Sequence, residues 1–255
     1  MRNWFIYGLA SLSCIILLFL SLPLFRMIFG SDIKTLWDTL WQEDVLASIY
    51  LTMKVSFFAV CFVVLTGLPL AFLIARHNFF GKSFVEALID IPTMIPHTAA
   101  GIALLLVFGR GVVADFFESF GIRFMDAEPG IMVAMMFLSS TYLINGAKEG
   151  FNKVDVKLEK VARTLGANPL QVFLRISIPN ARKDIINGAL MMWGRGLGEF
   201  GAVVIFVYHP MVAPVLIYDR FTSYGLKHSA PVAAIMIIIS IFVFLSVRFV
   251  NNRLK

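Results

Sequence analysis

Six stretches of this chain are apolar enough and long enough to cross a lipid bilayer, and they limit its fold more than any other feature. A bilayer core about 30 Å thick requires about 20 apolar residues in helical conformation. Hydrophobic residues make up 59% of the chain and charged residues 15%, against about 45–50% and about 25% in soluble domains. That excess argues against a soluble enzyme and predicts an all-α integral membrane protein with six transmembrane helices. The six stretches cover residues 4–28, 46–75, 91–109, 130–147, 185–207 and 231–250.

The first stretch admits two interpretations. It is apolar from Trp4 to Phe25 and is interrupted only by Pro23, so a cleaved signal peptide is the alternative to a retained helix. Its length exceeds a usual signal-peptide core, and it lacks a clear small-residue cleavage pattern, which favours a retained helix. We therefore expect residues 1–44 to form an N-terminal transmembrane helix with the first outer loop, and residues 45–250 to form the transmembrane domain.

The distribution of charge predicts the orientation in the membrane. If the N-terminus is cytoplasmic, the inner segments hold 14 of the 22 lysine and arginine residues and the outer segments hold five. An excess of these residues marks the cytoplasmic side, and an even number of spans places both termini there. With the acidic residues included, the inner face carries +8 and the outer face −4. The net charge of +6 thus reflects orientation, and no nucleic acid is needed to explain it.

Residues 148–184 form the one extended polar segment, and their pattern predicts a helical hairpin on the inner side. Apolar residues recur at helical spacing over residues 155–165, Gly166 fits a helix C-cap, and Asn168-Pro169 is typical of a new helix start. A second short helix would end at Pro179 and carry an apolar face made of Leu170, Phe173 and Leu174. Either the protein's own transmembrane helix ends or a soluble partner would bury such a face.

The spacing within this segment resembles the EAA loop of ABC importer permeases. That loop reads EAA, three residues, Gly, nine residues and I-x-L-P, and residues 160–162, Gly166 and residues 176–179 follow the same spacing. The chain departs at Lys160, where the pattern has Glu, although Glu159 stands one residue earlier. The resemblance implies a loop that couples to an ATPase subunit through Glu159, Lys160, Val161, Ala162, Gly166, Ala167, Asn168, Pro169, Leu170, Phe173, Leu174, Ile176 and Pro179.

Further segments resemble the molybdate/tungstate and sulfate group of these permeases. They include residues 67–71, 90–92 and 196–202, and residues 208–214 are more similar to the archaeal-type molybdate/tungstate members. The resemblance implies a type I ABC importer permease fold and the transport of molybdate or tungstate. Sulfate or thiosulfate is the alternative substrate, and an ATP-independent channel or carrier is a further alternative, which the hairpin argues against.

The resemblance also implies the partners. Such permeases work as homodimers in the cell membrane, surrounded by lipid. The chain itself is not expected to be an enzyme, because residues 81–83 match only the end of a P-loop, the usual ATP-binding motif. Two copies of a separate ABC ATPase subunit would use ATP and Mg, and this chain would bind no cofactor. An extracytoplasmic oxyanion-binding protein would dock on the acidic outer face, and nucleic acid is not an expected partner.

Charged residues and proline kinks inside the spans mark candidate pathway residues. Arg195 and Glu199 lie four residues apart, so one helix face presents both. Charged groups in a bilayer usually face the bundle interior or water. The pair therefore either lines the path of the anion or forms a self-neutralising strut between helices or between protomers. The strut is favoured, because an arginine that is neutralised by a neighbouring glutamate attracts anions weakly.

Pro92 and Pro96 interrupt the start of the third span, and broken helices in transporters often line cavities. The candidates there for a pathway or gate are Thr93, Pro96, His97 and Thr98, with ordinary kinked packing as the alternative. The four histidines show no metal-ligand spacing, so no metal site is predicted.

Overall fold

The computed structural model describes residues 2–253, and over this range the chain is helical with no strand, as the sequence predicts. Lys255, counted above among the inner charges, lies outside the described residues. The helices within this range are α1 (Arg2–Phe29), α2 (Ile33–Leu40), α3 (Glu43–Arg76), α4 (Lys82–Met94), α5 (His97–Phe108), α6 (Val112–Glu118), α7 (Glu128–Lys153), α8 (Val156–Thr164), α9 (Pro169–Val172), α10 (Ile178–Leu197), α11 (Gly201–Phe206), α12 (Ala213–Tyr224) and α13 (Leu226–Arg253).

Among the described residues, four helices are each long and apolar enough to cross a membrane. They are α1, α3, α7 and α13, with apolar ranges of Trp4–Phe29, Glu43–Arg76, Glu128–Lys153 and Leu226–Ser246. They coincide with the first, second, fourth and sixth stretches of the sequence prediction. These four elements follow from the length of the apolar runs, because a helix satisfies all of its backbone hydrogen bonds internally in lipid.

Neither the third nor the fifth stretch is one continuous helix. α4 and α5 meet at an angle of 115°, because Pro96 lacks an amide hydrogen and forces Ile95 into extended backbone with ψ 148°. α10 ends at Leu197, and the chain resumes helical conformation at Gly201. Each of the two stretches therefore contains a break.

The core of the bundle consists of α3, α7 and α10. α3 and α7 run parallel, since Lys54 pairs with Glu128 at 2.7 Å near one end and Arg76 donates to the carbonyl of Val154 at 2.9 Å near the other. α10 packs antiparallel to them, and the indole N–H of Trp193 donates to Ser56 Oγ at 2.9 Å. Because α3 and α7 are parallel, the chain between them must return along the bundle, which α4 and α5 do.

The remaining helices pack around this core. α1 lies along α13, and most of its side chains are exposed. α2 places Leu36 and Leu40 against α13, while Trp37 remains exposed. At the end of the bundle opposite to residues 148–184, here called the far end, Arg220 donates to the carboxylate of Asp44 at 2.6 Å.

Candidate functional site

The first helix of the predicted hairpin, α8, is capped at both ends by its own residues. At its start, the carboxylate of Asp155 accepts a hydrogen bond from the N–H of Lys157 at 2.9 Å. At its end, Gly166 has φ +91°, and the N–H of Ala167 donates to the carbonyl of Ala162 at 3.0 Å. This is the bonding of a Schellman cap, in which glycine adopts a positive φ without steric cost. The predicted helix and its glycine cap are confirmed.

The second helix, α9, begins with a capping box, as its sequence predicts. The side chain of Asn168 accepts from the N–H of Gln171 at 2.8 Å, and the side chain of Gln171 accepts from the N–H of Asn168 at 2.9 Å. Pro169 occupies the first turn, where its missing N–H has no partner to lose.

The prediction that Pro179 ends this second helix is wrong. α9 continues through a π turn, Phe173–Ser177, directly into α10. The N–H of Ile178 closes the turn on the carbonyl of Phe173, and Pro179 follows in the first turn of α10. The proline therefore lies inside a continuous helical segment, directly after the π turn, and does not end it.

The apolar face of the second helix is divided between two surroundings. The Phe173 ring packs against Phe72 and Phe151, with centroid distances of 5.0 and 6.1 Å, so this part of the hairpin is buried on the protein's own helices. Leu170 and Leu174 point away and are 64% and 51% exposed. The protein's own helices thus bury one part of this face, and the two leucines remain available to a soluble partner.

A buried ion pair fastens the hairpin to the end of α3. Arg76 contacts Glu159 Oε1 through Nε and Nη2, each at 2.9 Å, and the hydroxyl of Ser177 donates to the same oxygen at 2.9 Å. The side chains of Arg76 and Glu159 are only 9% and 2% exposed. We call Arg76, Glu159 and Ser177 the latch.

The latch explains the departure from the EAA pattern, because Glu159 occupies the inward position while Lys160 is exposed. The other predicted coupling residues lie on the same hairpin. Ala162, Ala167, Phe173 and Ile176 are half-buried, and the exposed ones are Val161, Gly166, Asn168, Pro169, Leu170, Leu174 and Pro179.

A second charged group forms where the two helix breaks meet. Glu199 follows the end of α10 and is 1% exposed, and its Oε2 lies 3.0 Å from Arg195 Nη1 and 3.0 Å from His97 Nδ1. Arg195 Nη2 in turn lies 2.7 Å from His97 Nε2. The same Nη2 lies 2.8 Å from His97 Nδ1, so the guanidinium contacts both ring nitrogens. We call His97, Arg195 and Glu199 the break cluster.

Local backbone geometry positions the break cluster. Glu199 Oε1 accepts from the N–H of Ala202 at 3.0 Å, so the carboxylate also caps the first turn of α11. A Cβ on Gly201 would lie 2.6 Å from the Cβ of His97, so the histidine requires glycine at this position. The predicted pairing of Arg195 with Glu199 is present, and both residues contact a third partner.

The other candidates at the bend lie outside this cluster of contacts. Thr93, Pro96 and Thr98 are exposed, and the hydroxyl of Thr93 donates to the carbonyl of Asp90 in its own helix at 2.7 Å. Sequence reasoning missed Arg76 and Ser177 as functional candidates. Arg76 is separated from Glu159 by 83 residues, and neither its place at the end of an apolar run nor the family resemblance of that run points to this partner.

Comparison with known proteins identifies the family. The profile of the family described as "Binding-protein-dependent transport system inner membrane component" matches residues 67–255. The chain belongs to this family. It is 40% identical to the molybdate/tungstate transport system permease protein WtpB of Pyrococcus furiosus, over 99% of this chain and 97% of WtpB. It is 28% identical to the probable sulfate transport system permease protein cysT of Chlorokybus atmophyticus, over 86% of this chain and 78% of cysT.

The fold of the permease is also found in solved structures. A bacterial alginate ABC transporter, solved in complex with an alginate pentasaccharide-bound periplasmic protein, matches with a TM-score of 0.77 at 18% identity. The match covers 99% of this permease and 96% of that chain. The chain is therefore a multi-pass inner-membrane permease with the fold of ABC importer membrane subunits.

Proposed function

We propose that this permease moves molybdate or tungstate across the membrane as part of an ABC importer. The supporting observation on substrate is the 40% identity to a molybdate/tungstate permease over nearly all of both chains. Sulfate is the weaker alternative, because the sulfate permease is 28% identical over a smaller share of each chain. Molybdate, tungstate and sulfate are all tetrahedral dianions, so the same kind of pathway serves each of them.

We propose six membrane crossings with both termini on the cytoplasmic side. α1, α3, α7 and α13 each supply one crossing, and the pairs α4–α5 and α10–α11 supply two broken ones. The parallel arrangement of α3 and α7 supports this count, because the segment between them has to cross back. The basic residues at the hairpin end support the cytoplasmic placement of that end.

We propose that two copies of the permease pack across the face that carries the break cluster. The side chains of Arg195 and His97 are 28% and 39% exposed near the middle of the bundle, where contact with lipid would be costly. Gly194 on the helix of Arg195 and Gly198 directly after the end of that helix are both open, and small residues allow a second backbone to approach closely.

The break cluster itself serves as a strut in this proposal. The Glu199 carboxylate already accepts bonds from Arg195, His97 and the N–H of Ala202, so little of its charge is left for a passing ion. The exposed positions around the bend, Thr93, Pro96 and Thr98, then line the pathway or gate between the two copies.

The hairpin is the proposed coupling site for two copies of an ABC ATPase subunit. Its two helices are capped by their own side chains, and Leu170 and Leu174 project outward, which suits insertion of a short helix into an apolar groove. ATP and Mg bind to the ATPase subunits in this proposal. The acidic outer segments, among them α6 with Asp115 and Glu118, receive an oxyanion-binding protein through complementary charge.

The single observation that carries the coupling role is the capped hairpin with its unpartnered leucines. The test is to reconstitute the permease in liposomes with its ATPase subunit and to add a binding protein loaded with molybdate, tungstate or sulfate. We expect molybdate- or tungstate-loaded protein to stimulate ATP hydrolysis and uptake, and sulfate-loaded protein to have little effect. Stimulation by the sulfate-loaded protein alone would overturn the substrate, and failure to recruit an ATPase subunit would overturn the function.

A further inference from the structure

The latch joins the hairpin to α3, a helix that is not directly connected to the hairpin through the backbone. The chain enters the hairpin from α7 and leaves it into α10, so those two helices follow any movement of the hairpin through the backbone. α3 differs from α7 and α10, because side-chain contacts and not the backbone connect it to the hairpin. Arg76 at its last turn contacts Glu159 and the carbonyl of Val154, each at 2.9 Å, and Phe72 one turn earlier stacks edge-on against Phe173.

Burial makes the latch a firm connection. Both charges are nearly excluded from water, and the carboxylate oxygen is also held by the hydroxyl of Ser177. Removing one partner of such a pair leaves a buried charge without compensation, so the two side chains are held together. The ion pair of Lys153 with Asp184, at the same end of the bundle, has a 64% exposed lysine, and exposed pairs of this kind contribute little.

α3 extends from the latch to the far end of the bundle. Its 34 residues span about 51 Å at 1.5 Å per residue. At the far end the carboxylate of Asp44 accepts a bond from Arg220 on α12 at 2.6 Å. A displacement applied at Arg76 is therefore passed along one continuous helix to the opposite surface.

We propose that Arg76 is a positioning residue that transmits movement of the hairpin to α3. The inference rests on the proposed function, since the ATPase subunits supply the movement. When they displace the hairpin, α10 follows through the backbone and α3 follows through the latch, so the two helices move together. Without the latch α3 keeps its packing against α7 and α10 but loses its direct link to the hairpin, so it follows the hairpin less closely, and ATP hydrolysis continues while less oxyanion is moved.

The test measures the number of molybdate ions imported per ATP hydrolysed, in liposomes that contain the full complex and the loaded binding protein. The double variant Arg76→Met/Glu159→Met removes both charges at similar volume and is expected to fold, because exchange of a whole buried pair for apolar residues is tolerated. We expect its coupling ratio to fall about tenfold, within the usual range of coupling between distant sites. Arg76→Lys keeps the charge without the planar fork and should be intermediate.

Lys153→Met is the matched control, because it breaks the exposed ion pair nearby, and its ratio should equal that of the wild type. If the wild type shows coupled uptake and the double variant has the same coupling ratio, the proposed role of Arg76 is overturned while the proposed transport function stands. Loss of ATPase recruitment in the double variant assigns the latch to assembly and also overturns the role of Arg76. A wild-type complex without coupled uptake of any oxyanion overturns the proposed function itself.

Discussion

Replacing Glu199 by Gln removes one charge from the break cluster and keeps the shape of the side chain. The amide retains one oxygen, which still accepts from the N–H of Ala202, but the ionic contact with Arg195 is lost. Breaking a buried ion pair costs about 3–5 kcal/mol. Arg195 and His97 are 28% and 39% exposed in the single chain, so the group is less completely buried than such a pair, and we expect a cost of about 2 kcal/mol.

This cost is measurable as a change in melting temperature in detergent. For a chain of this size each 1 kcal/mol shifts Tm by about 2–4 °C, so Glu199→Gln should lower Tm by about 4–8 °C. Glu86→Gln is the matched control, because Glu86 pairs with Lys148 at 3.3 Å while both side chains are a quarter to a third exposed. Its cost should stay below about 1 kcal/mol.

The comparison of the two glutamine variants decides between a strut and an ion pathway. In a strut, oxyanion uptake by Glu199→Gln falls together with the amount of folded, assembled permease. If both variants melt at the same temperature, the burial argument for the break cluster is refuted. If Glu199→Gln then loses uptake while it assembles normally, the cluster belongs to the ion pathway.

Three further predictions concern the surfaces of the permease. Gly194→Trp should leave the Tm of the monomer unchanged, because nothing lies within 4 Å of a Cβ at this position, yet should abolish dimerisation measured by cross-linking. Leu170→Glu combined with Leu174→Glu should prevent co-purification of the ATPase subunit without lowering Tm, since both side chains are largely exposed; normal recruitment would contradict the docking site. Asp115→Lys combined with Glu118→Lys should weaken binding-protein affinity and uptake at low salt, and unchanged affinity would exclude docking at these acids.

Local features of the fold were predictable because they depend on neighbours in the sequence. Apolar runs of about 20 residues determine the long helices. The caps at Gly166 and Asn168 follow from residues within one turn of each other, and so does the pairing of Arg195 with Glu199. In each case the chemistry that decides the structure lies within a few residues.

Contacts between distant segments were beyond the reach of a single sequence. His97 meets Glu199 across 102 residues, and Arg76 meets Glu159 across 83 residues, so neither pair leaves a local pattern. The continuity of the helix past Pro179 was missed for another reason. A π turn shifts the hydrogen-bond register by one residue directly before the proline, and nothing in the residue pattern predicts such a turn.

The self-capped hairpin also affects the entropy cost of assembly. A segment that folds only on contact with its partner pays the ordering entropy at that moment, which weakens binding for a given area. Here the Schellman cap, the capping box and the latch hold the hairpin in shape beforehand. In the proposed coupling role, docking would then require little rearrangement, because the ATPase subunit would meet a hairpin that is already ordered, and little entropy would be lost.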